Sequence, residues 1–293
     1  MHRIWLVLVF VACFGFSYDA QAQVSVTPSW LAEHLQDPSL VVLHVANVRA
    51  DYTREHIPGA RFLWPGWMAQ SNPDLSFEVS PVAQLDTLVE GLGITNDSRI
   101  VVCHVLGDAA AAARVYITLE YLGLGDRAYI LDGGLEAWKA EGRPVTKEIS
   151  GYNPAKFTPM IKDGVFVDLD YVKARSGKAG VRLVDGRSAQ GFDGGGSAVG
   201  VFRAGHIPEA VNLPFSAVLD AANRYLPVDS LKTKFESAGI KPGDDIVAYC
   251  NSGRTACPVY VAAKMLGYTV HLYDGSFEEW SRQEDLPVDV KEQ

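Results

Sequence analysis

The sequence predicts an α/β protein of two tandem domains, each with a mainly parallel sheet flanked by helices on both faces. The first observation behind this prediction is a long-period repeat. The segment HIPGA at 56–60 returns as HIPEA at 206–210, and DGGLEAW at 132–138 returns as DGSFEEW at 274–280. The second observation is that short apolar segments alternate with helical ones, which is typical of parallel sheets covered on both faces. The repeat period is too long for a solenoid and therefore indicates two copies of one domain.

The first copy begins with a helix signal and then alternates strands and helices. Thr27 is a good N-cap, and Pro28 suits the first helical position. The following elements are predicted as a strand at 40–45, a helix at 82–92, a strand at 99–103, a helix at 109–122, a strand at 128–131 and a helix at 134–141.

The second copy repeats this order. Its elements are predicted as a helix at 169–174, a strand at 182–185, a helix at 231–238, a strand at 246–249, a helix at 255–266 and a strand at 269–273. Between the first strand and the next helix, the glycine-rich stretch at 191–200 is interpreted as a surface loop. We therefore place the N-terminal domain at 23–146, a linker at 147–162 and the C-terminal domain at 163–293.

The first 22 residues are set apart from both domains. His2 and Arg3 precede an apolar run at 4–16, and the segment closes with AQA at 20–22. This layout predicts a secretory signal peptide cleaved after Ala22, and hence an exported, periplasmic protein. The apolar run is short for a transmembrane helix, and no later run approaches its length, so no membrane span is expected after cleavage.

Charge and composition exclude several classes of partner. The 293-residue chain has a formal net charge of −9, which provides no basic surface for nucleic acid. No group of histidines and cysteines has the spacing of metal ligands. We therefore predict neither a metal nor another cofactor.

Cys250 is the candidate nucleophile. It directly follows the predicted strand at 246–249, on a loop that leads into the helix at 255–266, and ligands of α/β sheets bind at such strand ends. The unpaired amides and the positive end of a helix favour an anion, so the position suits a thiolate, provided that it is partly exposed. The mature chain keeps an odd number of cysteines, which suggests one reactive thiol. Cys103 is interpreted as a core residue, and Cys257 as a buried helix residue outside any disulfide.

The repeated motifs and the sequence Cys-x-x-Gly-x-Thr at 250–255 occur in an order that resembles the rhodanese domain. The whole mature chain is similar to two-domain rhodanese-type sulfurtransferases. This resemblance implies one active cysteine in the C-terminal domain, here Cys250, and a degenerate N-terminal domain that completes the cleft. His104 stands at the position that corresponds to Cys250, and Cys103 is one residue away from it.

The resemblance also implies the chemistry and its residues. Cys250 takes a sulfane sulfur from a small anionic donor and passes it, as a persulfide, to cyanide or to a thiol, which can belong to a partner protein. Arg187 matches an arginine near the cleft of the family and either binds the donor or fastens its loop to Asp185. The expected persulfide-binding and substrate-binding loop comprises Asn251, Ser252, Gly253, Arg254 and Thr255.

Thiosulfate is the expected donor. Relatives that use 3-mercaptopyruvate carry an arginine where this chain has Gly191, and a histidine in the stretch that corresponds to 72–81, where this chain has none. Ser252 is the feature that instead fits 3-mercaptopyruvate, and Arg203 is the alternative clamp for its carboxylate. A site built for a carboxylate loses much when its partner is missing.

Three alternatives accompany this interpretation. The chain could be a 3-mercaptopyruvate sulfurtransferase, or a persulfide carrier or sensor module without turnover. A phosphatase of the same fold needs an arginine as the sixth residue after the cysteine. That residue is Ala256 here, which excludes this class.

Overall fold

The computed structural model describes residues 23–195 and 200–290. The predicted signal peptide at 1–22 lies outside the described residues and stays a prediction. The elements of the first repeat are β1 (Ser25–Val26), α1 (Pro28–His34), β2 (Leu40–Val45), α2 (Arg49–Arg54), β3 (Arg61–Leu63), β4 (Ala69–Gln70), β5 (Glu78–Val79), α3 (Val82–Gly91), β6 (Arg99–His104), α4 (Ala109–Leu119), β7 (Ala128–Leu131) and α5 (Gly134–Ala140).

The second repeat follows after a connection without helices or strands. Its elements are β8 (Phe166–Val167), α6 (Leu169–Arg175), β9 (Val181–Asp185), α7 (Ala189–Phe192), β10 (Val211–Asn212), α8 (Val228–Ser237), β11 (Asp245–Tyr249), α9 (Cys257–Met265), β12 (Thr269–Tyr273) and α10 (Ser276–Arg282). Thr27 caps α1 with its side chain, as the sequence predicts, and Asp168 caps α6 in the same way.

Each repeat forms a five-stranded parallel sheet, which confirms the predicted fold class. The strand order is β1-β7-β6-β2-β3 in the first sheet and β8-β12-β11-β9-β10 in the second, so the two topologies are the same. The strands β4 and β5 form a small antiparallel ribbon outside both sheets. Helices on both faces let the central strands carry unbroken apolar runs, as β6 does at 100–103 and β11 at 246–249.

The two sheets share one core across the domain interface. Helices α4 and α9 pack against each other, and the residues between the sheets belong to a single apolar cluster. Strand side chains alternate between this shared core and two outer cores. Cys250 belongs to the shared core with Ile246 and Ala248, whereas Cys103 belongs to the outer core of the first domain with Val101. The one-residue offset therefore places the two cysteines on opposite sides of their sheets.

Two local expectations differ from the structure. The helix after Cys250 begins at Cys257 and not at Thr255, because the loop needs two more residues to close. In its described part, at 191–195, the glycine-rich stretch is not a plain surface loop. Ser188 caps the short helix α7, and the residues that follow line a cavity next to Cys250's loop.

Candidate active site

Cys250 lies between the end of β11 and the loop that leads to α9. Its residue is only 1% exposed, so the partial exposure expected of a nucleophile is absent in this structure. Its carbonyl accepts a hydrogen bond from the amide of Phe277 (3.0 Å), and its own amide donates to Ser276 Oγ (3.2 Å). The start of the loop is thus held by the first turn of α10.

Ser276 is the supporting residue that sequence reasoning missed. Its buried hydroxyl accepts from the amides of Cys250 and Gly253 (2.9 Å) and donates to the Tyr273 carbonyl (2.8 Å). Its backbone has φ +53, a left-handed conformation that disfavours residues other than glycine. The one sequence signal was the replacement of Gly134 in the first repeat by Ser276 in the second.

Part of the loop is left open for an anion. Gly253 has φ +70, and its amide is already bound by Ser276, so this member of the predicted anion site is occupied. Within the described residues, the remaining loop amides have no hydrogen-bond partner. These amides belong to Asn251, Ser252, Arg254 and Thr255. Successive free amides around a turn form a concave anion-binding site.

Thr255 is not a helix cap. The N-cap of α9 is Ala256, which makes no side-chain bond, and Thr255 lines the neighbouring cavity. That cavity has a volume of about 400 Å³ and is bordered by the loop at Asn251 and Thr255. Its other walls include Gln190 and Gly191 from α7 and Phe215. The glycine-rich stretch therefore shapes the space beside the candidate nucleophile.

The two arginines predicted near the site are both paired with carboxylates. Arg187 is buried and donates to both carboxylate oxygens of Asp185 (2.6 and 3.0 Å) and to the Gly205 carbonyl (2.7 Å). Its Nη1 reaches Asn251 Oδ1 (3.4 Å), so it fastens its own loop and touches the candidate site. Burial disfavours the charge of Arg187, but Asp185 outweighs burial and raises the pKa of this guanidinium.

Arg254 pairs across the domain interface. Its Nη2 lies 2.5 Å from Asp108 Oδ2, and Asn47 donates to the same oxygen (2.9 Å). By the alignment of Cys250 with His104, Asp108 is the first-repeat counterpart of Arg254. The N-terminal domain thus holds one side chain of the C-terminal domain's loop in place.

The counterpart of Cys250 in the N-terminal domain is not a nucleophile. His104 is buried, and burial lowers the pKa of its imidazole. Cys103 is buried as well, and burial raises the pKa of its thiol far above the usual range. Burial therefore disfavours a thiolate at Cys103 and an imidazolium at His104.

Cys257 is a buried residue of the first turn of α9. Its thiol donates to the Gly253 carbonyl (3.1 Å), and it forms no disulfide. Burial raises its pKa to about 12, so the thiol is neutral at physiological pH. This arrangement agrees with the prediction that Cys257 is a packing residue.

Three other residues singled out from the sequence have structural contacts. His56 and His206 bind the backbone carbonyls of Tyr52 (2.7 Å) and Phe192 (2.8 Å). Arg203 was expected as an alternative carboxylate clamp, and that expectation is wrong. Its guanidinium donates to carbonyls at the end of α10, including those of residues 283 (2.6 Å) and 286 (2.7 Å).

A search of the described ranges finds no group of three or more His, Cys, Asp or Glu that could hold a metal ion. Among the helices at 23–195 and 200–290, none has both the length and the apolar character to cross a membrane.

Comparison with known proteins matches the family model "Rhodanese-like domain" twice, at residues 27–141 and 168–283. The chain is 34% identical to the "Probable 3-mercaptopyruvate sulfurtransferase" of Pseudomonas aeruginosa, over 89% of this chain and 96% of that one. It is 31% identical to the "Thiosulfate sulfurtransferase" of Azotobacter vinelandii, over 92% and 98%. It is also 31% identical to the "Sulfur carrier protein TtuD" of Thermus thermophilus, over 92% and 97%. Among solved structures, it superposes on the 3-mercaptopyruvate sulfurtransferase SseA of Escherichia coli with a TM-score of 0.78 and 26% identity, covering 86% of this chain and 98% of that one.

Proposed function

Since this chain belongs to the rhodanese family and is a sulfurtransferase, we propose that it moves sulfane sulfur from thiosulfate to cyanide or a thiol through a persulfide on Cys250. The observation that carries the proposal is the position of this thiol at the end of β11, beside a loop whose amides at 251, 252, 254 and 255 are free.

The reaction has two displacement steps. The thiolate of Cys250 attacks the sulfane sulfur of thiosulfate, a new S–S bond forms, and the S–S bond of thiosulfate breaks as sulfite leaves with the electron pair. Cyanide or a thiolate then attacks the terminal sulfur of the persulfide. Thiocyanate, or a persulfide of the acceptor, forms, and the thiolate of Cys250 is released.

The loop favours the persulfide over the free thiol. The terminal sulfur of a persulfide carries negative charge, and free amides aimed at such a charge need no reorganisation when it forms. Thr255 can add its hydroxyl, because it caps no helix and lines the cavity. Arg254 adds a cation whose position is set by Asp108. Arg187 touches the loop at Asn251 but acts mainly as a support, because Asp185 and Gly205 already bind it.

The cavity supports thiosulfate as the donor. A donor with a carboxylate needs a cation to clamp it, and Arg187 and Arg203 both donate to acceptors of the protein itself. Gly191, at the wall of the cavity, has no side chain for this purpose. A small dianion can instead sit on the free amides, which are charge-neutral donors.

One observation favours 3-mercaptopyruvate as a second candidate donor. Ser252 stands at the third position of the loop, and the 34% identical relative carries that substrate in its name. A persulfide carrier that hands its sulfur to a protein thiol would use the same Cys250 chemistry with a different acceptor.

The mass of the purified protein tests the proposal. After exposure to thiosulfate, we expect one added sulfur atom on Cys250, released by cyanide as thiocyanate, and no added sulfur on Cys250→Ser. With both donors compared at the same concentrations, kcat/KM for thiosulfate should exceed that for 3-mercaptopyruvate. A wild-type protein that gains no sulfur on Cys250 from either donor would contradict the chemistry. A large advantage for 3-mercaptopyruvate would contradict only the donor.

The proposal includes the location and the domain bounds predicted from the sequence. The protein would act in the periplasm after cleavage behind Ala22, with its domains at 23–146 and 163–293 and a linker at 147–162. N-terminal sequencing of the protein from a periplasmic fraction should begin at Gln23.

A further inference from the structure

Arg114 is a fully buried charge of the N-terminal domain that makes two of its hydrogen-bonding contacts in the other domain. It lies on α4 of the N-terminal domain, in a helix whose first five residues are all alanine. Its Nη1 lies 2.5 Å from Asp274 Oδ1 and 3.3 Å from the carbonyl oxygen of Gly253, both in the C-terminal domain. Its Nη2 donates to the carbonyl of Phe77 (2.7 Å). One guanidinium thus bridges three acceptors from three different segments.

Burying a charged side chain costs free energy, which indicates that this residue has a role beyond packing. A buried charge pair gains little stability over apolar residues of similar volume, because both charges must lose their water. Burial disfavours the charge of Arg114, but Asp274 together with the other acidic groups around it outweighs burial and raises the pKa of this guanidinium. Asp274 is also held on its other oxygen by the amide of Val79 (2.7 Å). The pair is therefore fixed from both domains.

The contact at Gly253 reaches the persulfide loop directly. The amide of Gly253 is bound by Ser276, and its carbonyl is bound by Arg114 together with the Cys257 thiol, so the peptide groups on both sides of its Cα have a fixed direction. A Cβ at Gly253 would come within 2.8 Å of the Asp274 carbonyl and 3.2 Å of Arg114 Nη1, which shows how closely the loop is packed against this pair. The free amide of Arg254 belongs to the same peptide group as the Gly253 carbonyl, so its direction is set by the contact with Arg114.

We infer that Arg114 is a positioning residue of the sulfurtransferase site. From the N-terminal domain, it fixes the Gly253 turn, and so it sets the direction in which the free amides of the loop meet the sulfur on Cys250. The N-terminal domain is therefore part of the machinery that stabilises the persulfide, although it has no nucleophile of its own. The inference rests on the proposed function in one respect, namely that Cys250 carries the sulfur.

The chain offers a matched control at Glu120. This residue follows α4 directly, is 1% exposed, and forms an ion pair with Lys264 of α9 and a hydrogen bond with Tyr260 (3.2 Å). It is thus a second buried interdomain charge of the N-terminal domain, but its partners are Lys264 and Tyr260 on α9 and Lys162 in the linker (2.7 Å), and none of them lies in the persulfide loop. Loss of interdomain packing alone should affect variants at both sites alike.

The experiment compares Arg114→Gln with Glu120→Gln in the full chain. Melting temperature, kcat/KM, and the lifetime of the Cys250 persulfide without acceptor are measured, the last by mass spectrometry with whichever donor loads the wild type. We expect both variants to melt at lower temperature. Only Arg114→Gln should lower kcat/KM, by about 10- to 100-fold, and shorten the persulfide lifetime, because small misplacements of a site cost about that much in rate.

Arg114→Lys separates charge from geometry. Lysine keeps the charge, but a point charge on a flexible stem cannot hold three acceptors in one plane. Arg114→Lys should restore the melting temperature more fully than the persulfide lifetime. If Arg114→Gln does not fold, Arg114→Lys tests the positioning role in its place. Equal kinetics for Arg114→Gln and Glu120→Gln, or wild-type kinetics for Arg114→Lys, would overturn the inference. Failure of the wild type to load Cys250 from either donor would instead refute the proposed function.

Discussion

Replacing Ser276 should reverse the usual order of alanine and glycine. The hydroxyl of Ser276 accepts from the amides of Cys250 and Gly253 in a buried site, and both variants leave those two amides without this partner. A buried amide left unpaired costs about 1–3 kcal/mol, so two cost about 2–6 kcal/mol. The Ser276→Ala variant should lose this full amount, because its Cβ keeps the backbone strain at φ +53.

The Ser276→Gly variant loses the same bonds but relieves the strain. A left-handed residue with a Cβ is strained by about 1–2 kcal/mol, so the glycine variant should be less destabilised than the alanine variant by about that amount. Glycine is ordinarily worse than alanine within regular structure by about 0.5–1 kcal/mol. The opposite order is expected here because Gly134, at the same place in the first repeat, has φ +60 and shows that the backbone accepts glycine.

Urea unfolding of the three proteins measures these differences, and thiosulfate-to-cyanide turnover measures the consequence for the loop. Both variants should lose about tenfold or more in kcat/KM, because the amides next to Cys250 are no longer held in position. The reasoning is refuted if Ser276→Ala is as stable as Ser276→Gly, or if either variant keeps the wild-type kcat/KM.

Two further predictions concern other buried groups. Burial first, and then the negative charges of Asp274 and Glu279, raise the pKa of Glu78 to about 8. Because the folded protein holds this proton more tightly than the unfolded chain, wild-type stability should fall as pH rises from about 5 through about 8, whereas Glu78→Gln should lose less over that range in pH-dependent melting. Cys250→Ser should abolish thiocyanate formation, while Cys103→Ser should leave kcat/KM within about twofold, since the Cys103 thiol lies in an outer core. Comparable losses in the two serine variants would contradict the assignment of the nucleophile.

The sequence was sufficient for the fold and for placing the candidate nucleophile Cys250 directly after a strand, where the structure also has it, because both depend on local pattern. The apolar run of β11 and the turn with Gly253 are read directly from neighbouring residues, and the duplication supports the same pattern in the other half. The alternation of strand side chains even separates Cys250 from Cys103. Short elements such as α2 and β3 escaped prediction, since a few residues carry no clear period.

Contacts between distant segments could not be predicted in this way. Ser276 supports the loop from a left-handed backbone conformation, and a serine in the sequence does not predict such a conformation. In the sequence, Arg114 is a single charge in an alanine-rich helix, and only the structure shows its contacts with Asp274 and Gly253. Arg203 illustrates the converse error. A cation close in sequence to a cleft is not available to a ligand when backbone carbonyls already bind it.

The duplication explains how the N-terminal domain can support the candidate site without supplying the nucleophile. Equivalent interdomain contacts occur twice: the amide of Val79 donates to Asp274, and the amide of Tyr225 donates to Asp132 (3.2 Å). The two domains are thus related as the subunits of a two-fold dimer would be. In a dimer of identical subunits, a residue near the axis meets its own copy, so a charge there would face a like charge. Because the two copies here belong to one chain, the equivalent positions can differ, and they hold Asp108 and Arg254 as an ion pair at 2.5 Å. The divergence of the two copies at this position lets the N-terminal domain supply the carboxylate that holds a side chain of the C-terminal loop.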